Sequence, residues 1–374
     1  MPSWLKEGRG SLCGANVSLL LREMGITKPL LVAGERTKNV FFARTGMRLP
    51  VFDAFHPNPD LQDCVAGAAL YQEKGCDGLI SIGGGSAMDT AKGIKALLMT
   101  DIAHVRANQL PSEGNVPHLA IPGTAGTGAE TTAVAVLYEN GQKLSVDHPA
   151  LLPDGVLLDG SLLDTLPEYH RKSCAMDALA QWIESWWAKK ATPDSRIHAE
   201  RAIRGVLDNL TAYMQGDRKA QDEMLHAAYE SGVAILTTRT TAAHAMSYQI
   251  TKKLGAAHGH ACMLTLPHLW AHLAAQAEYQ PMLTELAHIL GGEKPMDGAV
   301  LLKGLLAVLK LDKIPMPDDA TLDMLAASVN PERLGNHPEA LTTAQLRAIY
   351  VQAFTPMTDT ERAEAIAAWE QYGK

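Results

Sequence analysis

Residues 78–99, GLISIGGGSAMDTAKGIKALLM, decide the fold because they join a buried strand to a helix through a glycine-rich turn. The strand is GLISI at 78–82, the turn is GGGS at 83–86, and the helix continues to Met99. A continuous apolar run of strand length is typical of a parallel sheet with both faces covered. The glycines let the backbone approach a phosphate, and the start of the helix attracts negative charge. Tight packing of the turn is the alternative, since the loop matches neither GxGxxG nor the Walker A sequence.

The neighbouring segments repeat this alternation of strands and helices. We predict strands at 29–33, 51–55 and 118–121, and helices at 14–24 and 61–74. A second glycine-rich turn, PGTAGTG at 122–128, follows the third of these strands. Two such turns at the carboxyl ends of neighbouring parallel strands are where a dinucleotide binds, and the hydroxyls of Thr124 and Thr127 would bond to phosphate or ribose. The Asn140-Gly141 pair between two apolar runs predicts a hairpin.

Only helical patterns remain after about residue 165. We predict helices there at 176–189, 195–214, 218–236, 242–253, 261–275, 279–290, 297–309, 318–329 and 343–354. The sequence therefore predicts an α/β domain at 1–165, with a Rossmann-like parallel sheet that binds a dinucleotide, and an all-α domain at 166–374. Ligands commonly bind in the cleft between two such halves.

Length and composition fit a globular protein of two domains. The chain has 374 residues, 47% of them hydrophobic, and no apolar run approaches the ~20 residues of a membrane span. A net charge of -8 argues against binding to the phosphate backbone of nucleic acids. The first residues, MPSWLKEGRGSL, contain no apolar segment of a secretory signal. Five cysteines without a CxxC pair indicate reduced thiols, and we expect a cytoplasmic protein.

A histidine-rich stretch, RTTAAHAMSYQITKKLGAAHGHACMLTLPH at 239–268, holds four of the 14 histidines. Histidine is the commonest protein ligand for metals. In the segment MDALAQWIESWW, Asp177 and Gln181 are four residues apart and share one face of a predicted helix. Together with His244 and His258 they would form a metal site of four ligands. Each residue also has an ordinary alternative, as a buried histidine with hydrogen-bond partners, an aspartate favoured by the helix dipole or a glutamine exposed on a helix.

Several of these motifs together carry a family resemblance. They are GGGSAMDTAK (83–92), PGTAGTGAET (122–131), MDALAQWIES (176–185), AHAMSYQ (243–249) and AAHGHA (256–261). In their order and spacing, over nearly the whole chain, they resemble the iron-containing, or group III, alcohol dehydrogenases. The resemblance implies a dinucleotide-binding domain, a helical domain of the dehydroquinate synthase-like type, and a divalent metal and a nicotinamide in the cleft. It also implies a homodimer or a larger homo-oligomer.

The site residues of that family carry over by position. Its cofactor contacts fall on the turn residues Gly84, Gly85 and Ser86, on Asp89, and on Thr124, Thr127 and Lys143. Three of its four metal ligands fall on Asp177, His244 and His258. The fourth is a histidine in the family but Gln181 here, and a further family histidine is Tyr248 here. An amide oxygen is a weaker and harder ligand than imidazole, so Gln181 either coordinates the metal or only orients a water. The metal is Fe²⁺ or Zn²⁺.

The versions of the motifs found here point to a substrate class. DALxQ, RTTAAHAxSY and HGHA look most like the branch that reduces phosphonoacetaldehyde, and they are similar to reductases of sulfoacetaldehyde. Both substrates are two-carbon aldehydes that carry a strong anion. Arg239, together with Lys252, Lys253 and His260, would bind such an anion, unless these are ordinary surface charges. Tyr248 or His260 would relay a proton to the alkoxide.

The residues after the first predicted strand bear on the choice of dinucleotide. The family often has an aspartate there that bonds the ribose 2′-hydroxyl, and Gly34 stands at that position. Without that aspartate, Arg36 and Lys38 nearby make NADP(H) possible, and Glu35 leaves NAD(H) open too. The sequence thus predicts a metal-dependent, NAD(P)H-linked reductase of a short anionic aldehyde. The alternatives are a broad short-chain alcohol or glycerol-type dehydrogenase and, outside the enzymes, a nucleotide-binding or scaffold subunit.

Overall fold

The computed structural model describes residues 6–112 and 116–372. The chain divides into two compact units. The first contains Met1–Leu166 and Gly216–Leu236, and the second contains Pro167–Gln215 and Thr237–Lys374. The predicted domain ranges, 1–165 and 166–374, also include residues outside the described part and stay predictions. Residues 216–236, which the prediction assigns to the helical domain, cluster with the first unit.

The strands form one sheet and one hairpin, both in the first unit. They are β1 Lys6–Arg9, β2 Pro29–Ala33, β3 Val51–Phe52, β4 Gly78–Gly83, β5 His118–Pro122, β6 Val134–Glu139, β7 Gln142–Asp147 and β8 Gly155–Leu158. The sheet has the order β1-β8-β5-β4-β2-β3, and its described pairs are all parallel. The predicted parallel sheet is thereby confirmed, although β1 and β8 have no counterpart in the prediction.

The helices of the described residues are numbered in chain order. They are α1 Gly14–Glu23, α2 Glu35–Thr45, α3 Leu61–Lys74, α4 Gly85–Met99, α5 Ile102–Arg106, α6 Glu168–Trp187, α7 Pro193–Met214, α8 Arg218–Thr238, α9 Ala242–Gln249, α10 His258–Ala274, α11 Gln280–Ile289, α12 Asp297–Val308, α13 Asp319–Ala327, α14 Pro331–Gly335, α15 Thr343–Phe354 and α16 Asp359–Tyr372. Every helix predicted after residue 165 is present, most of them with shifted ends and α15 with the predicted ends, whereas α2, α5, α14 and α16 have no predicted counterpart.

The apolar strand β2 shows why the sheet is covered on both faces. Successive side chains of a strand point to opposite faces. Leu30 and Val32 pack in one hydrophobic core with residues of α3 and α4. Leu31 and Ala33 pack in a second core with residues of α1 and α2. Burying a leucine or valine side chain contributes about 1.5–3 kcal/mol, so both faces of this strand stabilise the fold.

The predicted hairpin is confirmed by β6 and β7, which pair antiparallel. Its two turn residues, Asn140 and Gly141, have φ angles of 51° and 74°. A two-residue turn with positive φ at both positions matches the twist of the flanking strands, and Asn-Gly adopts it at low cost.

Helix α8 completes the first unit although it follows two helices of the second unit in the chain. Thr131 Oγ1 donates to the carbonyl oxygen of Tyr229 at 3.3 Å. A Cβ on Gly232 would lie 2.6 Å from the carbonyl oxygen of Gly128. Only a glycine therefore allows α8 to lie this close to the segment that follows the second glycine-rich turn.

The second unit is helical throughout its described residues, and α6 forms its centre. Every side chain of α6 from Ala175 to Trp187 is buried. The first turn of α10 contacts α6 at Gly259, where a Cβ would overlap the carbonyl oxygen of Ser173 and lie 2.6 Å from Cβ of Asp177. Glycine is thus required for this approach.

One turn of π-helix, Ile250–Leu254, follows α9 directly. Turns of π-helix are rare in proteins, and those that occur are often found at functional sites. Across residues 6–112 and 116–372, no helix combines the length and the apolar character needed to cross a membrane.

Candidate metal centre and dinucleotide-binding turns

A compact group of potential metal ligands lies in the second unit. Its members are Asp177 of α6, His244 of α9, and His258 and Cys262 of α10, whose ligand atoms all lie within 4.8 Å of one another. Asp177 Oδ1 is 3.3 Å from His244 Nε2 and 3.8 Å from His258 Nε2. The structure therefore brings three of the four predicted ligands together around one carboxylate oxygen.

A second carboxylate, Glu184, fixes the orientation of His244. Glu184 is fully buried and forms a short hydrogen bond with His244 Nδ1. It also accepts hydrogen bonds from Thr241 Oγ1 at 2.6 Å and from the backbone N–H of Ala243 at 2.7 Å, at the start of α9. With Nδ1 engaged, Nε2 is the ring nitrogen that faces Asp177. Metal-binding histidines in proteins almost always have such a partner on the other nitrogen.

The distances in this cluster fit a divalent ion. With metal–nitrogen and metal–oxygen bonds of about 2.1 Å, two ligands of a tetrahedral site lie about 3.4 Å apart. The 3.3 and 3.8 Å from Asp177 Oδ1 to the two imidazoles are close to this separation. In addition, the buried Nε2 of His244 makes no hydrogen bond of good geometry within the described residues. A bound ion would supply the missing partner.

The charged groups of the centre stabilise one another. Burial alone would raise the pKa of Asp177 and of Glu184, but the facing histidines hold both below the usual range. Burial alone would lower the pKa of His258, but Cys262 and Asp177 raise it to about 9. The centre thus keeps its carboxylates ionised, which is the form that binds a cation.

Gln181 and Tyr248, at positions where the family resemblance implies histidines, both lie next to the candidate ligands. The side-chain amide of Gln181 is buried and donates from Nε2 to Asp177 Oδ1 at 3.4 Å. The ring of Tyr248 stacks on the ring of His258, with centroids 6.2 Å apart and an angle of 4° between the planes. Gln181 therefore contacts the carboxylate ligand, and Tyr248 contacts an imidazole ligand.

Two residues of the centre, Cys262 and Glu184, escape the sequence-based prediction. Cys262 Sγ lies 3.9 Å from His258 Nε2, four residues away on α10. Glu184 follows Asp177 by seven residues, which places both on one face of α6 two turns apart. The helical spacing was thus a signal for each residue, but it did not show which helix each would face.

The other predicted catalytic residues lie outside the ligand cluster. Both ring nitrogens of His260 have partners, since Nδ1 contacts the hydroxyl of Tyr169 at 3.0 Å and Nε2 contacts the carbonyl oxygen of Leu311 at 2.8 Å. Burial lowers the pKa of His260, although the Leu311 carbonyl opposes this. Arg239 precedes α9 with a φ of 61°, a left-handed conformation that is uncommon for a residue other than glycine. Such backbone strain is concentrated at functional sites.

In the first unit, the two glycine-rich turns lie side by side. Strands β4 and β5 are neighbours in the sheet, and Gly83 is in register with Pro122. The backbone N–H of Gly123 donates to the carbonyl oxygen of Gly83 at 2.7 Å. The carboxyl ends of two parallel strands and their glycine-rich turns therefore meet, as the sequence predicts.

The absence of side chains in these turns leaves a cradle at the start of α4. A Cβ on Gly84 would lie 3.2 Å from Thr124 Cγ2, and a Cβ on Gly85 would lie 3.7 Å from Thr127 Cγ2. Gly84 precedes α4, and within the described residues no side chain caps this helix. The first N–H groups of a helix have no partner inside it, so they are donors for an anion. The residues present therefore fit a pyrophosphate.

The remaining predicted cofactor residues, Ser86, Asp89 and Lys143, differ in their surroundings. Ser86 Oγ accepts a hydrogen bond from the backbone N–H of Asn58 at 3.3 Å. Burial raises the pKa of Asp89 to about 6, against the attraction of Lys92 and Lys143. Lys143 is on β7, and this interaction places its charge near the first turns of α4.

The groups that would choose between NAD(H) and NADP(H) lie after β2. Around Gly34 the space is open, since a Cβ there would have no atom within 4 Å. Lys38 Nζ forms ion pairs with Glu35 at 2.5 Å and with Asp53 at 2.6 Å. Arg36 donates to a threonine hydroxyl. Both basic residues expected to favour a 2′-phosphate are thus engaged, and two carboxylates accompany the lysine.

Comparison with known proteins agrees with this arrangement. Residues 3–160 match the model of the iron-containing alcohol dehydrogenase family, and residues 172–354 match the model of the C-terminal part of the Fe-containing alcohol dehydrogenase family. The probable alcohol dehydrogenase EutG of Escherichia coli strain K12 is 34% identical over 251 residues, which are 65% of this chain and 60% of EutG. The phosphonoacetaldehyde reductase of Streptomyces viridochromogenes is 35% identical over 228 residues, which are 57% of this chain and 58% of that protein.

A solved structure matches over almost the full length. The sulfoacetaldehyde reductase of Bifidobacterium kashiwanohense in complex with NAD⁺ is 26% identical, has a TM-score of 0.84, and covers 95% of this chain and 97% of its own. By contrast, the sequence matches span less than two thirds of EutG and of the phosphonoacetaldehyde reductase. The predicted fold class is confirmed by this structural match.

The family models, the relatives and the geometry identify the same kind of protein. The predicted cofactors, a nicotinamide dinucleotide and a divalent metal, agree with the family named for iron, with the NAD⁺-bound neighbour and with the ligand cluster. The predicted class of enzyme, an NAD(P)-dependent alcohol dehydrogenase or aldehyde reductase, is the class of this family. The two models together match most of the sequence. The chain therefore belongs to the iron-containing alcohol dehydrogenase family.

Proposed function

We propose that this protein reduces a short aldehyde to the alcohol with a nicotinamide dinucleotide at a metal centre, and that the aldehyde carries a phosphonate or a sulfonate. The observation that carries the proposal is the ligand cluster. The Nε2 atoms of His244 and His258 both lie close to Oδ1 of Asp177, and Nε2 of His244 is buried. Such a cluster is a strong Lewis-acid site once it holds a divalent ion.

Each part of the chain has a task in this reaction. The bound groups supply polarisation of the carbonyl by the metal and a hydride from the dinucleotide. Asp177, His244 and His258 hold the ion, and Glu184 keeps the proton of His244 on Nδ1. Tyr248 would deliver a proton to the alkoxide, since its ring is stacked on the imidazole of His258 and it carries a hydroxyl group. His260 is the alternative relay residue, and its ring nitrogens contact the hydroxyl of Tyr169 and the carbonyl oxygen of Leu311.

Cationic residues on both sides of α9 support an anionic substrate. Arg239 lies three residues before the first residue of α9, and Lys252 and Lys253 are in the π-helical turn that follows the helix. Guanidinium and ammonium groups are the donors that a phosphonate or sulfonate requires. The phosphonoacetaldehyde reductase among the relatives and the sulfoacetaldehyde reductase among the solved structures favour the same class.

The dinucleotide that we propose is NAD(H). Lys38 is held by Glu35 and Asp53, and these two carboxylates would repel the additional phosphate of NADP(H). We also propose a homo-oligomer in the cytoplasm. The thiols of the five cysteines are free, as a reducing compartment would keep them.

Initial rates test the function directly. The protein would be loaded with Fe²⁺ or Zn²⁺ and assayed with NADH and NADPH against phosphonoacetaldehyde, sulfoacetaldehyde and propanal. We expect a preference of at least a hundredfold in kcat/KM for an anionic aldehyde, about 2.7 kcal/mol, and loss of this preference in Arg239→Ala. Equal rates with propanal would instead favour a broad alcohol or glycerol-type dehydrogenase. Bound metal without any turnover would favour a subunit without catalysis.

A further inference from the structure

We propose that Cys262 binds the metal as a thiolate, in place of the ligand that Gln181 does not supply, and that the centre thereby selects Zn²⁺ over Fe²⁺. The inference rests on the proposed metal-dependent function and adds the identity of the fourth ligand and of the metal. It is carried by the position of the thiol, by the orientation of the neighbouring amide and by the charge of a buried site.

The thiol is placed as a ligand would be. Cys262 is fully buried, and its Sγ belongs to the group of ligand atoms within 4.8 Å of one another. Sγ lies 3.9 Å from His258 Nε2. With a zinc–sulfur bond of about 2.3 Å and a zinc–nitrogen bond of about 2.1 Å, two ligands at the tetrahedral angle lie about 3.6 Å apart. The observed contact is a few tenths of an ångström longer than this separation.

The helix that carries the thiol restricts where it can point. His258 and Cys262 are four residues apart near the start of α10, so they share one helical face. This face approaches α6 at Asp177, since Gly259 between them has no side chain. The cysteine side chain is short, so its Sγ stays close to the helical face that it shares with His258.

The amide of Gln181 has another role. Its Nε2 donates to Asp177 Oδ1 at 3.4 Å, the same oxygen that faces His244 and His258. An amide nitrogen is not a metal ligand, and a glutamine that donates to the carboxylate orients that ligand from outside the coordination sphere. A further protein ligand can then come from another residue, and Cys262 has its Sγ among the ligand atoms that lie within 4.8 Å of one another.

Charge and softness favour the same assignment. Two neutral imidazoles and one carboxylate would leave one net positive charge in a buried site, which is costly. A thiolate cancels this charge, and its proton passes to solvent as the metal–sulfur bond forms. Thiolate is a soft ligand that favours Zn²⁺ over Fe²⁺. Asp177, His244, His258 and Cys262 would hold the ion, which would polarise the aldehyde as a Lewis acid.

Cobalt substitution and X-ray absorption test the assignment without any assay of turnover. Metal-free protein would be loaded with one equivalent of Co²⁺ under anaerobic conditions. We expect a near-ultraviolet charge-transfer band from thiolate to cobalt in the wild type and in Gln181→Ala, and its loss in Cys262→Ser. Cys174→Ser is the matched control, since Cys174 lies on α6 three residues before Asp177 and outside the ligand group; it should keep the band. Zinc affinity should fall by at least ~100-fold in Cys262→Ser, which exceeds the usual loss when a residue that only hydrogen-bonds to a metal ligand is replaced.

The zinc-loaded wild type provides a second measurement that does not depend on any variant. X-ray absorption at the zinc edge should show one sulfur neighbour at about 2.3 Å. A bound ion with no sulfur neighbour, or a band that persists in Cys262→Ser, would overturn the assignment while the proposed function stands. Equal affinity of the wild type for Fe²⁺ and Zn²⁺ would overturn the selectivity. A wild type that binds no divalent metal at all would overturn the proposed function itself.

Discussion

Replacing Glu184 by glutamine should release the metal from a protein that still folds. In the structure one oxygen of Glu184 bonds to Nδ1 of His244, and the other accepts from Thr241 and Ala243. Glutamine keeps the shape but has only one accepting oxygen. If its NH₂ group faces Nδ1, the imidazole must move its proton to Nε2, where the metal would bind. If it faces the start of α9, two donors there lose their acceptor.

The structure gives the size of the effect. Outer partners of metal ligands are worth 10–100-fold in metal affinity, about 1.4–2.7 kcal/mol. A hydrogen bond to a buried charged group contributes about 1.5–3 kcal/mol to the free energy of unfolding. We therefore expect Glu184→Gln to weaken zinc binding by about 10–100-fold and to lower the free energy of unfolding of the metal-free protein by about 1.5–3 kcal/mol.

Competition with a chelating dye would measure the zinc affinity, and urea denaturation would measure the stability. Glu130→Gln is the matched control. Glu130 is likewise a buried carboxyl group, but it belongs to the first unit, and burial raises its pKa to about 7, so that glutamine resembles its protonated form. Zinc affinity at the wild-type level in Glu184→Gln would refute the reasoning. An equal loss in both variants would assign the effect to general destabilisation.

Three further variants test other parts of the structure. Gly259→Ala places a Cβ against the carbonyl oxygen of Ser173, so the free energy of unfolding should fall by about 1–3 kcal/mol and the bound metal should be lost; a stable variant with full metal content would contradict the packing. His337 is fully buried, and burial lowers its pKa to about 4. As the pH falls, the unfolded state, in which the histidine pKa is near 6.5, takes up a proton before the folded state does. Between pH 7 and pH 5 the free energy of unfolding of the wild type should therefore fall by about 2 kcal/mol through this residue. Urea denaturation of His337→Phe at the two pH values should not show this loss. Asp53→Asn removes a carboxylate from Lys38, and the ratio of kcat/KM for NADPH to that for NADH should rise by roughly fivefold to tenfold, about 1–1.4 kcal/mol; an unchanged ratio would place the 2′-position of the ribose elsewhere.

The sheet could be predicted from the sequence because local patterns specify its inner strands. The uninterrupted apolar run of β2 requires two covered faces, and the two cores at Leu30 and Leu31 provide them. Strand β1, with the sequence KEGR, has no such pattern. Strand β1 lies at the edge of the sheet because its backbone pairs with β8. The sequence KEGR contains no alternation of polar and apolar residues that could indicate this pairing.

The metal centre was predictable only in part, for a related reason. The spacing within one helix places Asp177 and Gln181 on the same face, and it places His258 and Cys262 on another. Which of these side chains meet depends on the contact of α10 with α6 at Gly259, and on the turn before α9. The sequence therefore indicated the amide of Gln181, which contacts Asp177, but it did not indicate the thiol of Cys262, which the structure places among the ligand atoms.

The position of α8 has a consequence for how the protein is made. The ribosome releases the sheet first, then α6 and α7, and only afterwards the helix that packs against Thr131 and completes the first unit. During synthesis the surface near Gly128 is therefore uncovered while the neighbouring unit is already emerging. A nascent chain that ends at Leu166 holds the whole sheet and still lacks one of its own helices. A single cut of the chain therefore cannot separate the two units, because the segments of each unit are interrupted by a segment of the other.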